Sequence, residues 1–436
     1  MTSRFHSPVE DVSPLAQPLR FEFSQTTAPN RFLKASMTEK LSSWDPQKKE
    51  ARGVPSTAIH NLYQRWGEGE LGHILTGNIM LAYDQLEAAG NLIIPTDAPF
   101  EGPRFEAFAK LASLAKAHGS LITGQVTHPG RQVDRRIQPN PVSASDVQLQ
   151  GKVLGLEFAK PHPASQEEIN EIVRSFTYAA QYLQRAGFDG IELQGAHGYL
   201  LSQFLSRTTN FRTDAYGGSL QNRARLIMEI AQSIRANTSP DFILGIKINS
   251  VEFQSGGFTV EEARNLCQML EEATFDFVEL SGGTYQAMAF KHERESTRKR
   301  EAFFLEFADM IVPSLSKTKT YVTGGFRTLQ GMLEALKSVD GVGLGRVIAQ
   351  EFSLTKDILN GTITGAIDPK VNQDDFALTN IIAGTQMRQV GKGQEPIDMS
   401  QEENVRVFMK AMTAWAQRMA DDGETMKLFG YVDLEL

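Results

Sequence analysis

Strand-like and helix-like segments alternate along most of this chain, and this alternation constrains its fold more than any other feature. Eight short apolar segments are separated by segments with helical periodicity. The predicted strands cover residues 30–36, 72–80, 120–128, 188–194, 242–250, 275–283, 319–325 and 341–346. Strict alternation is typical of an α/β protein with a parallel sheet, and a count of eight predicts a closed (β/α)8 barrel.

The helical segments carry local signals at their ends. Ser165 and Glu168 have the spacing of an N-terminal capping box, and Gly187 is placed to end the same helix. Helices are predicted at residues 57–67, 103–119, 165–187, 219–237, 259–273, 302–315, 328–338 and 403–422. All except the last lie between predicted strands, as a barrel requires.

The domain organisation follows from the length of 436 residues. At ~150 residues per domain three domains would fit, but a single TIM barrel can exceed about 400 residues. We predict a barrel domain over residues 1–375 and a packed helical C-terminal extension over 376–436. The connections 77–102 and 128–164 are too long for simple loops and follow strands. They are expected at the C-terminal face of the barrel, where they would frame an active site.

Composition excludes several classes of protein. There are 44 Lys and Arg residues against 52 Asp and Glu, a net charge of −8, so nothing favours binding to nucleic acid or an anionic membrane. The single cysteine, Cys267, excludes an internal disulfide and a multi-cysteine metal site. The sequence shows no signal-peptide core or membrane-spanning stretch, so a cytoplasmic location is expected. The histidine spacing predicts no catalytic metal.

Glycine-rich turns follow the last two predicted strands. Gly324 and Gly325 lie in TGGFRT, followed by Phe326, while Gly345 and Arg346 end GVGLGR. Glycine lets backbone N–H groups approach an anion closely, and arginine can bind phosphate through two N–H groups. Because the loops after strands seven and eight are the usual phosphate site of this barrel, we predict that a phosphate group binds here.

Polar side chains at the end of the fourth strand are candidates for catalysis. Gln194 and His197 would share a face if the chain turned helically after the strand, and Tyr199 follows. Two hydrogen-bond donors can hold a carbonyl oxygen, and a tyrosine hydroxyl can deliver a proton. His128 and Arg131, after the third strand, are expected to order the long connection rather than to reach the site.

Lys247, near the end of the fifth strand, has two interpretations that the residues alone do not separate. It could face an anion such as the N1–C2=O edge of a reduced flavin, or it could form a Schiff base as in barrel aldolases. No pair of carboxylates lies among the strand ends, so glycosidase chemistry is not expected.

Residues 187–230, GFDGIELQGAHGYLLSQFLSRTTNFRTDAYGGSLQNRARLIMEI, resemble the signature stretch of the Old Yellow Enzyme family of FMN-dependent oxidoreductases. HPGRQ at 128–132, TGGFRT at 323–328 and GVGLGR at 341–346 agree with that family in order and spacing. The long connections and the tail look most like fungal members of its bacterial-type branch. The resemblance covers residues from about 17 to about 360 and implies a (β/α)8 barrel with FMN at the C-terminal face.

The resemblance also implies an activity. In the family, NADH or NADPH reduces tightly bound, non-covalent FMN, which then passes hydride to the β-carbon of an α,β-unsaturated carbonyl compound in a ping-pong cycle. Tyr199 would protonate the α-carbon, while Gln194 and His197 would hold the carbonyl oxygen. Gln194 stands where most relatives have histidine, so weaker carbonyl activation or a double-bond isomerase are alternatives. A homodimer is compatible with the resemblance.

The residues that would bind FMN follow from the same motifs. Thr38 would tune the flavin potential, and Lys247 stands where relatives usually have arginine facing N1. Four residues would hold the phosphate, and these are Gly324, Gly325, Gly345 and Arg346. The other residues of the cofactor-binding set are Ala35, Ser36 and Met37 at the flavin edge, Gly77 and Gln125 at its pyrimidine part, and Phe326.

Overall fold

Eight parallel strands close into a barrel in the computed structural model, which describes residues 2–151, 155–250, 257–281 and 305–434. They are β1 Phe32–Lys34, β2 His73–Leu75, β3 Leu121–Thr127, β4 Gly190–Gly195, β5 Ile243–Asn249, β6 Phe277–Ser281, β7 Lys319–Thr323 and β8 Gly341–Leu344. Each strand pairs with the next, and β8 pairs with β1 through Val342 opposite Phe32 and Leu344 opposite Lys34. The predicted (β/α)8 barrel is therefore confirmed.

Helices follow the strands and pack around them. They are α1 Thr57–Glu68, α2 Gly102–Lys116, α3 Gln166–Arg185, α4 Leu220–Asn237, α5 Val260–Glu272, α6 Leu305–Ile311, α7 Leu329–Ala335, α8 Leu354–Leu359, α9 Phe376–Gly391 and α10 Glu402–Asp422. The predicted capping box at the start of α3 is present, with Ser165 and Glu168 bonded reciprocally. Four pieces of the predicted segments lie outside the described residues: 152–154, 282–283, 302–304 and 435–436.

The N-terminal end of the barrel is closed by aromatic side chains. Phe21, which follows the short strand Leu19–Arg20, packs against His73 and Phe277 with ring centroids 5.8 and 5.9 Å apart. Tyr321 lies 5.7 Å from Phe277 in an edge-to-face arrangement. With this end filled, a ligand can enter the barrel only from the carboxyl ends of the strands.

The C-terminal extension packs on one side of the barrel and then returns over its open end. The side chain of Asn61 on α1 donates to the Gly391 carbonyl at the end of α9, at 2.9 Å. Beyond α10, the Met426 carbonyl accepts a 2.7 Å hydrogen bond from the indole of Trp44, which lies in the connection after β1. Residues far apart in sequence thus hold the extension against the rim. Within the described ranges, no helix has the length and apolar composition needed to cross a membrane.

Asp276 connects several elements at the closed end, so its removal should destabilise the fold. Its fully buried carboxyl group accepts from the backbone N–H groups of Ser24 (2.8 Å) and Leu244 (2.9 Å) and pairs with Arg235 at 2.9 Å. Asp276→Ala leaves these donors unpaired and should lower the free energy of unfolding by about 3–5 kcal/mol, measured by urea denaturation.

A variant at an exposed ion pair serves as the control, since it shows how much stability is lost when a surface carboxylate is removed. Glu403 pairs with Arg406 on the exposed surface of α10, where both side chains are more than two-thirds exposed. Glu403→Ala should change stability by less than about 1 kcal/mol. Equal changes in the two variants would contradict a structural role for Asp276.

Candidate active site

A cavity of about 540 Å³ opens at the carboxyl ends of the strands. It collects all but one of the site residues predicted from the sequence. Those that line it are Ala35, Ser36, Met37, Thr38, Gln125, Gln194, His197, Tyr199, Lys247, Gly324, Gly325, Phe326, Gly345 and Arg346. Barrel closure therefore brings together residues that are more than 300 positions apart.

Gly77 is the residue that does not line the cavity. Its N–H group donates to Glu39 at 2.8 Å and to the Tyr63 hydroxyl at 3.0 Å, so it is used within the protein. Its neighbour Asn78 lines the cavity instead. The Asn78 side chain accepts from Thr127 at 2.6 Å and donates to Thr38 at 3.4 Å, which connects the ends of β1 and β3.

His197 is placed by an unusual backbone rather than by a helical turn. β4 continues to Gly195, His197 has a φ of +58°, and the next helix begins only at Leu200. The expectation of a helical turn after Gln194 is wrong, but the left-handed residue still points the imidazole into the cavity. The ring Nε2 lies 3.0 Å from the Ser281 hydroxyl, and the backbone N–H donates to Asn249 at 3.1 Å.

The Gln194 side chain is held at both ends of its amide. Its oxygen accepts from the Ala196 N–H at 3.0 Å, and its nitrogen donates to the Gln125 oxygen at 3.2 Å. Since the amide nitrogen carries two hydrogens, one N–H remains for a ligand. In this orientation Gln194 is held as a hydrogen-bond donor.

Lys247 is buried and paired. Its ammonium group lies 2.8 Å from the Glu279 carboxyl group on the neighbouring strand, and both side chains are almost completely inaccessible to solvent. An ion-paired ammonium is a poor nucleophile, because Schiff-base chemistry needs a free amine. This pairing favours the interpretation of Lys247 as a fixed positive charge over that of an aldolase lysine.

The ends of β7 and β8 form an open cradle. A side chain at Gly345 would meet only the Met37 sulfur, at 3.9 Å, and Gly325 has a φ of +79°. The guanidinium of Arg346 donates to the Thr379 hydroxyl and lies 5.7 Å from the Phe376 ring. The cradle thus combines exposed backbone with a cationic side chain held in place by the extension.

The extension supplies a wall of the cavity that sequence reasoning did not assign to the site. Phe376, Ile381, Ile382, Trp415 and Tyr431 all line it, and together they make this wall largely apolar. No local signal could have placed them there, since helical periodicity shows which face is apolar but not what it covers.

The two long connections contribute unequally. Asn78 and Glu87 of the 77–102 segment line the cavity, whereas no described residue of the 128–164 segment does. His128 accepts from the Gly130 N–H at 3.1 Å, and Arg131 donates to the Val147 carbonyl at 3.0 Å. These bonds lie within the second connection, as expected for residues that order it.

Comparison with known proteins agrees with this geometry. Residues 14–362 match the model of the NADH:flavin oxidoreductase / NADH oxidase family. The NADH-dependent flavin oxidoreductase nadA of Aspergillus parasiticus is 50% identical over 414 residues, covering 94% of this chain and 93% of nadA. The NADH-dependent flavin oxidoreductase iliE of Hypocrea jecorina is 31% identical over 353 residues, covering 76% of this chain and 86% of iliE. The chain belongs to this family.

It is therefore an FMN-dependent oxidoreductase of the Old Yellow Enzyme family, and the resemblance seen in the sequence is confirmed. Morphinone reductase in complex with tetrahydroNAD shares the fold, with a TM-score of 0.66 and 22% identity over 81% of this chain and 93% of that one. The family model ends before α9, so the apolar wall lies outside the part common to the family. The match to nadA covers nearly the whole chain, including much of the extension.

The residues present around the cavity fit FMN. Lys247 would supply a fixed cation for the electron-rich pyrimidine edge, and the glycine cradle with Arg346 would supply N–H donors for the phosphate. The buried Thr323 hydroxyl lines the cavity and has no hydrogen-bond partner in the described part of the chain. A buried polar atom of this kind is normally satisfied by a ligand or water.

His197 should remain neutral throughout the physiological pH range. Burial, together with the nearby Lys247 ammonium, lowers the pKa of His197 from 6.5 to about 3. NMR of histidine-labelled protein should show no titration of His197 between pH 5 and 8, with His197→Gln assigning the signal. In urea the same residue should titrate near ~6.5.

This pKa shift also makes the stability of the folded protein depend on pH. Because the folded pKa is lower than the unfolded one, its contribution to stability is complete above pH 6.5 and is lost as the pH falls toward about 3. A His197 signal that titrates in the folded protein near its unfolded pKa would contradict the buried, neutral imidazole.

Proposed function

We propose that this enzyme reduces the C=C bond of α,β-unsaturated carbonyl compounds, using NADH or NADPH in a ping-pong cycle. The observation that carries the proposal is that Gln194, His197 and Tyr199 line the same cavity as Lys247 and the glycine cradle. When bound, FMN would accept hydride from the reduced nicotinamide and deliver it to the β-carbon of the substrate.

The protein's own groups would act on the carbonyl compound. The second N–H of Gln194 and the imidazole of His197 would hold the carbonyl oxygen, where negative charge develops as hydride arrives. Because His197 is neutral, both are uncharged hydrogen-bond donors. Such donors polarise a carbonyl less strongly than an imidazolium would, so strongly activated alkenes are expected to react fastest.

Tyr199 would supply the proton to the α-carbon. Its side chain is 4% exposed, and the residue stands directly before the short helix Leu200–Leu205, so its position is fixed by regular structure. A buried phenol at the wall of the cavity can donate a proton without admitting bulk water.

The apolar wall formed by the extension supports a substrate with a substantial apolar body. Trp415, Tyr431, Ile381 and Ile382 would contact the part of the substrate remote from the carbonyl group. NADH is the first electron donor to test, since the relatives nadA and iliE are described as NADH-dependent.

Anaerobic stopped-flow absorbance tests the proposed cycle. NADH or NADPH should bleach the absorbance of the FMN-loaded protein, and an enone such as cyclohexenone should then restore it. If no enone reoxidises the protein faster than oxygen does, the reductase proposal fails. Conversion of a non-conjugated enone to its conjugated isomer without net NADH consumption would instead indicate an isomerase.

Tyr199→Phe should separate the two halves of the cycle. It removes the proton donor and should slow reoxidation by the enone by about 10²–10⁴-fold, while reduction by NADH is nearly unchanged. Tyr216→Phe is the matched control, because the Tyr216 hydroxyl bonds to Glu229 and the residue does not line the cavity. Equal slowing of both half-reactions in Tyr199→Phe would show that Tyr199 has only a structural role.

A further inference from the structure

Charged side chains lie inside the barrel, directly below the cavity. Glu192 on β4, Lys247 on β5 and Glu279 on β6 are all less than about a twentieth exposed, and Lys34 on β1 is completely buried. Charges in such surroundings are costly unless they are paired or neutralised. The hydrogen bonds and ion pairs of these four groups therefore determine the net charge below the cofactor site.

The two carboxyl groups are each satisfied at one oxygen only. Glu279 Oε1 accepts from the Lys247 ammonium at 2.8 Å, and Glu192 Oε1 accepts from the Gln125 amide at 2.5 Å. The Oε2 atoms of both glutamates are buried, and neither meets a donor among the described residues. The sheet register places Glu279 directly opposite Lys247 and Glu192 opposite Gly245, two residues before Lys247, so both carboxyl groups lie on the inner face of the barrel beside this lysine.

The other nearby cation does not satisfy these oxygens. The Lys34 ammonium donates to the carbonyls of Leu75 at 2.7 Å and Ala35 at 3.2 Å, and it lies 4.2 Å from the Trp66 ring. Two adjacent buried carboxylates would repel each other, because both are negatively charged and each presents only hydrogen-bond acceptors to the other. A single proton between them removes the repulsion and turns one acceptor into a donor.

We propose that Glu192 and Glu279 form a carboxyl–carboxylate pair that shares one proton, with the negative charge on the Glu279 side and neutralising Lys247. Both are positioning residues that act on the cofactor through Lys247, and neither lines the cavity. Burial and the neighbouring Glu279 raise the pKa of Glu192 well above its ordinary value, which agrees with the assignment of the proton to Glu192.

Further titratable groups surround the pair. Lys34 and Lys247 interact with both glutamates, Tyr321 interacts with Glu279, and His197 interacts with Lys247. His73 packs against Phe277, two residues before Glu279. Burial lowers the pKa of His73 to about 3, so His73 adds no charge at neutral pH. Burial also lowers the pKa of Lys34, to about 8, so this lysine is mostly protonated at pH 7.

The pair also determines the orientation of the residues that face the substrate. Because Glu192 Oε1 accepts a hydrogen bond, the Gln125 amide must present its nitrogen to Glu192 and its oxygen to Gln194. Gln194 then presents its nitrogen to Gln125. A continuous set of hydrogen bonds thus runs from Lys247 through both glutamates and Gln125 to Gln194, and it holds Gln194 as a donor.

The first test measures the proton itself in the wild-type holoenzyme. Infrared spectroscopy at pH 7 with ¹³C-labelled glutamate should show the C=O stretch of a protonated carboxylic acid that shifts in D₂O. Absence of that band overturns the proposal. The measurement does not require any variant to fold.

The second test measures the midpoint potential of the bound flavin in two variants. Glu192→Gln replaces a neutral donor by another neutral donor, so it should remove the infrared band and leave the potential unchanged. Adding Glu279→Gln to Glu192→Gln leaves the Lys247 cation without a carboxylate partner, which should stabilise the electron-rich reduced flavin and raise the potential.

Glu262→Gln is the control. It alters a partly buried carboxyl group that pairs with Arg223 outside the barrel, and it should affect neither the infrared band nor the potential. If Glu192→Gln alone raises the potential as much as the double variant does, both glutamates are ionised and the proposal is wrong. The inference rests on FMN binding beside Lys247 but not on enone reduction, so failure of the stopped-flow test would leave it standing.

Discussion

Closure of the sheet between β8 and β1 is the constraint on which the rest of this structure depends. Val342 and Leu344 of β8 pair with Phe32 and Lys34 of β1. This pairing leaves no open edge in the barrel and brings the carboxyl ends of the eight strands to one cavity. The aromatic cluster around Phe277 fills the opposite end. The site is therefore a consequence of topology, and its chemistry depends on which side chains the strand ends carry.

The polar interior of the barrel explains how a buried cation can be maintained at the cavity. Lys247 alone would be expensive to bury, but Glu279 lies 2.8 Å away on the adjacent strand. The parallel register places these two residues directly opposite each other. Hydrogen bonds also connect Glu192 through Gln125 to Gln194, so a second buried carboxyl group holds a side chain that lines the cavity.

The extension gives this member of the family a feature that the barrel alone does not provide. It adds Trp415 and Tyr431 to the cavity wall, and its residues also contact Arg346 in the glycine cradle. Lys40, which follows β1, lies 4.7 Å from the Tyr431 ring, so the end of the chain is anchored at the cavity itself.

Much of the fold was predictable because its signals are local. The alternation of strands and helices, the capping box at Ser165 and the polar strand ends are all read within a few residues, and each is present in the structure. The same local reasoning gave the wrong backbone after Gln194, because nothing nearby in the sequence shows that Asn249 holds the His197 N–H. Local reasoning also missed Glu192 and Glu279, because these side chains lie deeper in the barrel than the strand ends that were considered.

The fold class, the family and the residues that make up the site could all be predicted from the sequence. The folded protein was needed to show that Gly77 turns toward Glu39, that Lys247 is neutralised by Glu279, and that the extension completes the cavity. The physical reason is that periodicity and capping are properties of neighbouring residues. Pairing of buried charges and the walls of a cavity depend instead on contacts between residues that are distant in sequence.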